Sequence, residues 1–373
     1  MKRRQFVGLA AGAGSTLALA GCLGDSGSDP ATADADADGE SLPTDDGTPP
    51  AATLSPTRTA TPVDPGRGIY IQSFREQMSV QGTATSGDYE FALMFAVPHN
   101  FWTVTGDEVS ETTIEDADSI HLMAAVWDPD TGTVLPETGL SVEIARDGDL
   151  VSQEVIYPML SQPMGFHYGG NFPLPGDGTF TVTVSVGGTN IRRTGAFDGR
   201  FGDPAAVEIP LEFTKRTREE VQSRQLDRGG DPGALRPMDT PVPQAVLPPK
   251  DDLPGTVRAS GRSDDAVFVA TTLDDGPVDG DAYLAVSART RYNRFAVPAM
   301  ALDATLTRDG ESVYEGPLRR TLDPELNYHY GAAVDGVRSG DELTLSITTI
   351  PQVARHEGYE AAFRQMPDMT LTL

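Results

Sequence analysis

The chain has 373 residues and a formal net charge of −27, from 55 acidic and 28 basic side chains. Nearly all the basic charge is arginine, and the acidity is spread along the chain instead of gathering in one tail. That distribution excludes a nucleic-acid binder, which needs a basic stripe to meet phosphates, and it fits a halophilic protein kept soluble where salt screens self-repulsion. Cys22 is the single cysteine, which removes intrachain disulfides and multi-thiolate metal sites together.

The N-terminus sets the expected compartment. Lys2-Arg3-Arg4-Gln5-Phe6-Val7 reads as a twin-arginine export signal, followed by a Gly- and Ala-rich apolar run too short to span a membrane comfortably. The run ends in Leu19-Ala20-Gly21-Cys22, which resembles a lipobox, with Cys22 as the lipidation site. Residues 1–22 are therefore expected to be a lipoprotein signal. A lipid anchor would then hold the chain on the extracytoplasmic face of the cell membrane. Residues 23–65 carry almost no large apolar side chains and are expected to form a disordered tether.

A first β-sandwich domain is expected over residues 66–213. Tyr89–Val97 and Ile120–Trp127 are strongly apolar, the second closed by the turn Asp128-Pro129-Asp130-Thr131-Gly132. Leu140–Ala145 alternates and turns at Asp147-Gly148, Val151–Tyr157 returns, Phe180–Val186 alternates strictly, and Val207–Phe213 closes the domain. Pro98-His99-Asn100-Phe101-Trp102 reads as an aromatic turn whose Trp102 either lines a binding surface or, as the preferred reading, caps the sandwich. Residues 214–256 form a connector: a short polar helix over Lys215–Asp227, then seven prolines before Gly255 that favour a semi-stiff strap. A second sandwich follows over 257–373, with strands expected at Val267–Thr272, Ala282–Ala288, Leu302–Thr307, Ser312–Leu318, Glu342–Thr349 and Met369–Leu373. The fold class is all-β, two tandem immunoglobulin-like antiparallel sandwiches.

The second domain repeats the first. Asp303–Glu311 parallels Ser141–Asp149, and a loop bearing His-Tyr-Gly follows in each copy, at His167-Tyr168-Gly169 and His329-Tyr330-Gly331. The five histidines are His99, His121, His167, His329 and His356, and recurrence of one triplet in both copies marks His167 and His329 as candidate ligands. A thioether beside imidazoles is a soft donor set, which favours Cu(I) over hard cations. Among such thioethers Met159 is the candidate ligand, with Met123 or Met164 nearby, although core filling is the ordinary use of methionine. Acidic runs such as Asp107-Glu108 lack EF-hand spacing and read as solvated surface.

His121-Leu122, Pro158-Met159 and His167-Tyr168-Gly169, in that order and spacing, resemble the periplasmic iron-transport protein family. Its members are small dimeric immunoglobulin-like sandwiches that bind copper and assist ferrous-iron uptake. The resemblance covers roughly one hundred residues of each domain and is fainter in the second. In the family a loop His crosses the dimer and a late His completes the site. The resemblance thus implies two unequal sites in a tandem chain: His121, Met159 and His329 in one, and His356 with His167 in the other. Met123 stands where the family has Glu, Tyr283 replaces His121, and Leu318 replaces Met159.

No G-x-S-x-G elbow, H-E-x-x-H, P-loop or C-x-x-C is present, so no enzyme is expected. The expected function is a membrane-anchored metal-binding protein that holds a copper or iron ion and passes it on, with a metal permease as partner. Its rival is a structural or adhesive surface lipoprotein, and a weaker third is a redox enzyme cycling the metal.

Overall fold

Side chains that alternate apolar with Thr and Ser form strands when one face can be buried, and in the computed structural model this happens twice. The structure describes residues 68–373, so the export signal, Cys22 and the tether lie outside the described residues. The first half contains β1 (Phe74–Glu76), β2 (Ser79–Ser86), β3 (Tyr89–Ala96), β4 (Phe101–Thr105), β5 (Glu108–Thr112), β6 (Asp118–Trp127) and β7 (Leu140–Arg146). It continues with β8 (Asp149–Val155), β9 (Tyr157–Ser161), β10 (Gly165–Pro173), β11 (Gly178–Val186), β12 (Arg192–Arg193) and β13 (Ala205–Phe213). The connector holds α1 (Lys215–Glu220) and β14 (Ser223–Gln225). The second half contains β15 (Thr256–Ser263), β16 (Ala266–Leu273), β17 (Ala282–Thr290), β18 (Ala301–Arg308) and β19 (Glu311–Asp323). It closes with β20 (Asn327–Val334), β21 (Glu342–Thr349), β22 (Ala354–Arg355) and β23 (Met369–Thr372).

Each half is a β-sandwich. The first stacks the sheet β2-β3-β6-β10-β9-β22-β4-β5 on the sheet β13-β11-β7-β8. In the second, β19 bridges both layers: its N-terminal part pairs with β18 and its C-terminal part with β20. The strictly alternating β11 shows why the sandwich closes. Phe180, Val182, Val184 and Val186 are buried, and Val184 lies opposite Val142 and Val207 in the two neighbouring strands. One contiguous apolar core takes in both halves, from Phe95 and Val184 to Leu306 and Leu345.

Two small strands cross between the halves. β22 runs parallel to β9, with Ala354 opposite Met159. β12 runs parallel to β19, with Arg192 opposite Thr321. These crossings obey one numerical rule. His121 and Tyr283, Met159 and Thr321, His167 and His329, Arg192 and Ala354, and Thr194 and His356 are each separated by 162 positions. Secondary features repeat at the same offset: the bridge Trp127–Val134 recurs as Arg289–Ala296. The tyrosine after each of the two paired histidines accepts a backbone N–H, Tyr168 from Thr138 and Tyr330 from Met300. The chain is duplicated down to single hydrogen bonds.

Three expectations change. The His-Tyr-Gly segments are strand interiors in β10 and β20 and not loops, because Phe166, Tyr168 and Phe172 alternate into the core. The connector helix spans six residues only, Lys215–Glu220, started by a capping box between Thr214 and Thr217. Beyond it the chain turns extended to pair Ser223–Gln225 with β1. Finally, β19 runs on to Asp323, past the expected end at Leu318. No helix among the described residues is long and apolar enough to cross a membrane.

Candidate metal centre

Register brings the first two candidate ligands together. His167 on β10 lies directly opposite Met159 on β9, so their side chains share one face of the sheet. His121 on β6 lies opposite Asn171 on β10, two residues along from Gly169 on that same face. Gly169 keeps the space between them open: a Cβ there would lie 2.9 Å from His121 Nε2 and 3.0 Å from Met159 Sδ. The second half supplies the next donor. β22 sets Ala354 beside Met159, Arg355 donates to the Ala362 and Phe363 carbonyls, and the His356 N–H donates to Leu160 O at 3.1 Å. His356 is thereby delivered over the sulfur, with Nε2 at 3.3 Å from Met159 Sδ.

A residue outside the expected ligand set completes the cluster. His99 stacks on His121 with ring centroids 4.1 Å apart, and its Nε2 lies 2.9 Å from His356 Nδ1. His99, His121 and His356 offer nitrogen atoms that all lie within 4.8 Å of one another. His167 approaches His356 with ring centroids 5.1 Å apart. All four imidazoles and Met159 are buried. The signal for His99 was the motif Pro98-His99-Asn100-Phe101-Trp102, read above as a cap. In the structure Phe101 packs with Met159 and Ala354 in a small apolar cluster of its own, so this motif walls the site.

Hydrogen bonds fix the ring tautomers. A backbone carbonyl can only accept, so His167 Nδ1–H donates to Gly165 O at 3.1 Å and His99 Nδ1–H donates to Val97 O at 3.0 Å. Asn171 donates its amide to His99 O at 3.0 Å, which turns its carbonyl oxygen to accept from His121 Nδ1–H at 2.8 Å. The Nε2 atoms of His121 and His167 are left buried with no partner. Such orphaned acceptors are rare and costly unless a ligand meets them. With His99 neutral, His356 Nδ1–H donates to His99 Nε2 and leaves the His356 Nε2 lone pair facing the sulfur. Two lone-pair atoms in contact are stable when a cation lies between them. Ligands at about 2.0 Å (nitrogen) and 2.3 Å (sulfur) around a tetrahedral ion sit roughly 3.5 Å apart, and the 3.3 Å between His356 Nε2 and Met159 Sδ is close to this. The donors that could hold a metal are thus His121 and His356 through Nε2 and Met159 through Sδ, with His167, opposite Met159 on the same face, offering a further unpartnered Nε2.

The electrostatics keep these donors neutral. Burial pushes His167 down to about 4 and holds His121 and His356 well below the ordinary imidazole range, with neighbouring imidazoles adding to the effect. His99 differs. Burial opposes its charge most strongly of any single effect, yet the Glu76 carboxylate 3.3 Å from Nδ1, the Val97 carbonyl and the Glu357 charge together outweigh it and raise the pKa. Glu357 accepts from the Ser73 N–H and hydroxyl at 2.9 and 3.0 Å, which ties the segment leading into β1, and so Glu76, to the chain beside His356.

His329 does not join this centre. Its Nδ1–H donates to Asn327 O at 3.0 Å and its Nε2 meets the Tyr283 hydroxyl at 2.9 Å, both in the second half. The expected pairing of His329 with His121 and Met159 is corrected: His356 crosses between the halves, and His167 stays with Met159 because adjacent strands lock them face to face. The separate pairing of His356 with His167 merges into the same centre. The counterpart of Met159 is Thr321 and not Leu318, since Thr321 is the residue opposite His329. Met123 and Met164 belong to the main apolar core.

A cleft of about 320 Å³ opens beside the centre, between Phe101, Tyr157 and Asn171, and carries the carboxylates of Glu115, Asp118 and Glu154. Burial and the nearby Glu115 and Glu154 charges raise the Asp118 pKa.

Comparison with known proteins adds little beyond this geometry. Residues 251–372 match a family model described as a domain of unknown function (DUF7350). No curated protein matches the chain. Among solved structures, a copper-bound variant of FetP from uropathogenic Escherichia coli strain F11 is similar at 18% identity and a TM-score of 0.27, covering 37% of this chain and 98% of its own. The same protein in its "as isolated" form, expressed recombinantly in the periplasm of Escherichia coli, aligns at 17% identity and a TM-score of 0.28, over 38% of this chain and 97% of its own.

Proposed function

We propose that this chain binds one soft metal ion, with Cu(I) preferred, and passes it on without catalysing bond cleavage. It would do so as an exported, lipid-anchored protein assisting copper or iron acquisition. The observation that carries the reading is the pair of buried, partnerless Nε2 atoms on His121 and His167, gathered with His356 Nε2 at 3.3 Å from Met159 Sδ. Three imidazoles and a thioether suit Cu(I) over oxygen-seeking cations. With His99 neutral, it acts on the ion through His356: its Nε2 receives the His356 Nδ1 proton, while Glu76 and the Val97 carbonyl hold the far side of its ring. Iron acquisition and the membrane anchor rest on the resemblance and on residues 1–22.

Competition titration with a Cu(I) chelator tests it. One Cu(I) per chain is expected, and Met159→Ala weakens Cu(I) binding at least about tenfold, or about 1.4 kcal/mol, while leaving Zn(II) binding nearly unchanged. Wild-type Cu(I) binding no tighter than that of a Met159→Ala, His121→Ala double variant leaves only a structural role. The acidic cleft gives a second expectation. A carboxylate-lined mouth concentrates cations, so Glu115→Gln with Glu154→Gln slows loading by about tenfold at low ionic strength. Stopped-flow loading with Ag(I) in nitrate salts reads this directly. The difference must fade as salt shortens the Debye length to about 3 Å near 1 M, and a salt-independent slowing rejects the electrostatic route.

A further inference from the structure

The offset of 162 positions generates a second pocket at the counterpart of the metal centre, made of Tyr283, Thr321, His329 and the crossing strand β12. Its frame is kept: Gly331 stands where Gly169 does, with a Cβ there running into the Tyr283 hydroxyl. The Thr194 N–H donates to Leu322 O at 3.0 Å, as the His356 N–H does to Leu160 O. The donors differ, with Tyr283, Thr321 and Thr194 at the positions of His121, Met159 and His356. So does the residue opposite the Met159 position: in the metal centre it is Ala354, which adds nothing, and here it is Arg192.

The half-buried Arg192 reaches its guanidinium into this pocket. Nη2 donates to the Tyr283 hydroxyl at 2.7 Å and to Gly331 O at 2.7 Å, and Nε donates to Thr321 Oγ1 at 3.0 Å. Its contacts are thus the counterparts of His121, Gly169 and Met159, the residues that frame the proposed ion. Because Arg192 belongs to the first half and its acceptors to the second, these bonds also tie the halves together.

We propose that Arg192 is a built-in cation: its guanidinium takes the place of an ion in the second pocket and locks the halves together. The equivalence to an ion rests on the function proposed above, whereas the lock does not. At one junction the positive charge is exchangeable, and at the other it is covalently part of the chain.

Two measurements test this. Arg192→Ala should lower the Tm of the metal-free protein by about 5 °C or more, because charge-assisted hydrogen bonds across the halves are lost. Millimolar methylguanidinium should restore part of that loss in the variant and leave wild type unmoved. A Tm equal to wild type, or no rescue, overturns the lock. The second uses a background with the first centre removed by His121→Ala and Met159→Ala. There, Tyr283→His, Thr321→Met and Thr194→His together should bind no Cu(I) while Arg192 remains. Adding Arg192→Ala should create one Cu(I) equivalent, which a further His329→Ala removes. A cooperatively folded variant that binds no Cu(I) after Arg192→Ala rejects the equivalence of guanidinium and ion. One that binds before it shows that Arg192 is not the obstacle. Neither result depends on whether the wild-type centre binds copper, so the two readings fail separately.

Discussion

His356→Ala should abolish tight Cu(I) binding, with affinity falling by more than about 100-fold, while His329→Gln leaves affinity within about twofold of wild type. Loss of a partner behind a ligand commonly costs about 10–100-fold, and direct loss of a donor should exceed it. His99→Ala, which removes the partner of His356 Nδ1 and leaves all four donors, should fall inside that interval. The order of these variants is the informative part. His356 comes from the second half and its position depends on β22 lying against β9. His329 is held by Tyr283 and Asn327, and glutamine can keep the contact with the hydroxyl. Chelator competition on the three variants, each first shown to melt cooperatively, gives the ranking. Equal losses at His356 and His329 would mean that the donors gather differently from the arrangement described.

Much of the fold is legible because strand burial writes itself into alternation. Phe180–Val186 and Leu140–Ala145 were placed within two residues of their ends, since each has one core face and one polar face. β10 and β20 were not, because Gly169, Gly170 and Gly331 look like turn residues. Gly169 and Gly331 are in fact small so that ligands, or an arginine, can sit against the sheet. In the site, the residue types were readable and their grouping was not. His121, Met159, His167 and His356 converge, but the sequence offered no means of deciding which histidine crosses between halves. Placing Leu318 at the Met159 position also misled, because β19 is continuous where the first half breaks at Ile156 between β8 and β9. Counting back from the histidines would have avoided it: Met159 precedes His167 by eight residues, as Thr321 precedes His329. His99 has no counterpart histidine: ahead of β6 the halves align at an offset of 177, Ala96 with Leu273, which puts Gly276 at the His99 position, so no repeat could have marked it.

Acid should unfold the metal-free protein well above the pH at which its surface carboxylates titrate. His167 and His329 are fully buried, and burial lowers each to about 4. In the unfolded chain both bind protons near the ordinary imidazole pKa of about 6.5. Between those values the unfolded state holds more protons than the folded one, so stability is intact above about pH 6.5 and falls as pH drops toward 4. At about 1.4 kcal/mol per unit, each histidine removes about 3 kcal/mol across that window, a large share of an ordinary folding free energy of about 5–15 kcal/mol. His121 and His356 are lowered further and act in the same direction. His99 acts oppositely and at higher pH: its raised pKa gives stability that is full below about 6.5 and lost as pH rises through its folded value, so it adds no slope to the fall below 6.5. Urea midpoints measured from pH 7.5 to 4 should therefore decline steeply below 6.5 at unchanged slope. His329→Gln should make the decline shallower without touching copper affinity. Cu(I) should hold His121, His167 and His356 unprotonated and move the decline to lower pH, because metal and proton compete for the same nitrogen lone pairs. A midpoint that stays level from pH 7 to 5 would show that these imidazoles are not buried neutral, and the donor set described here would lose its basis.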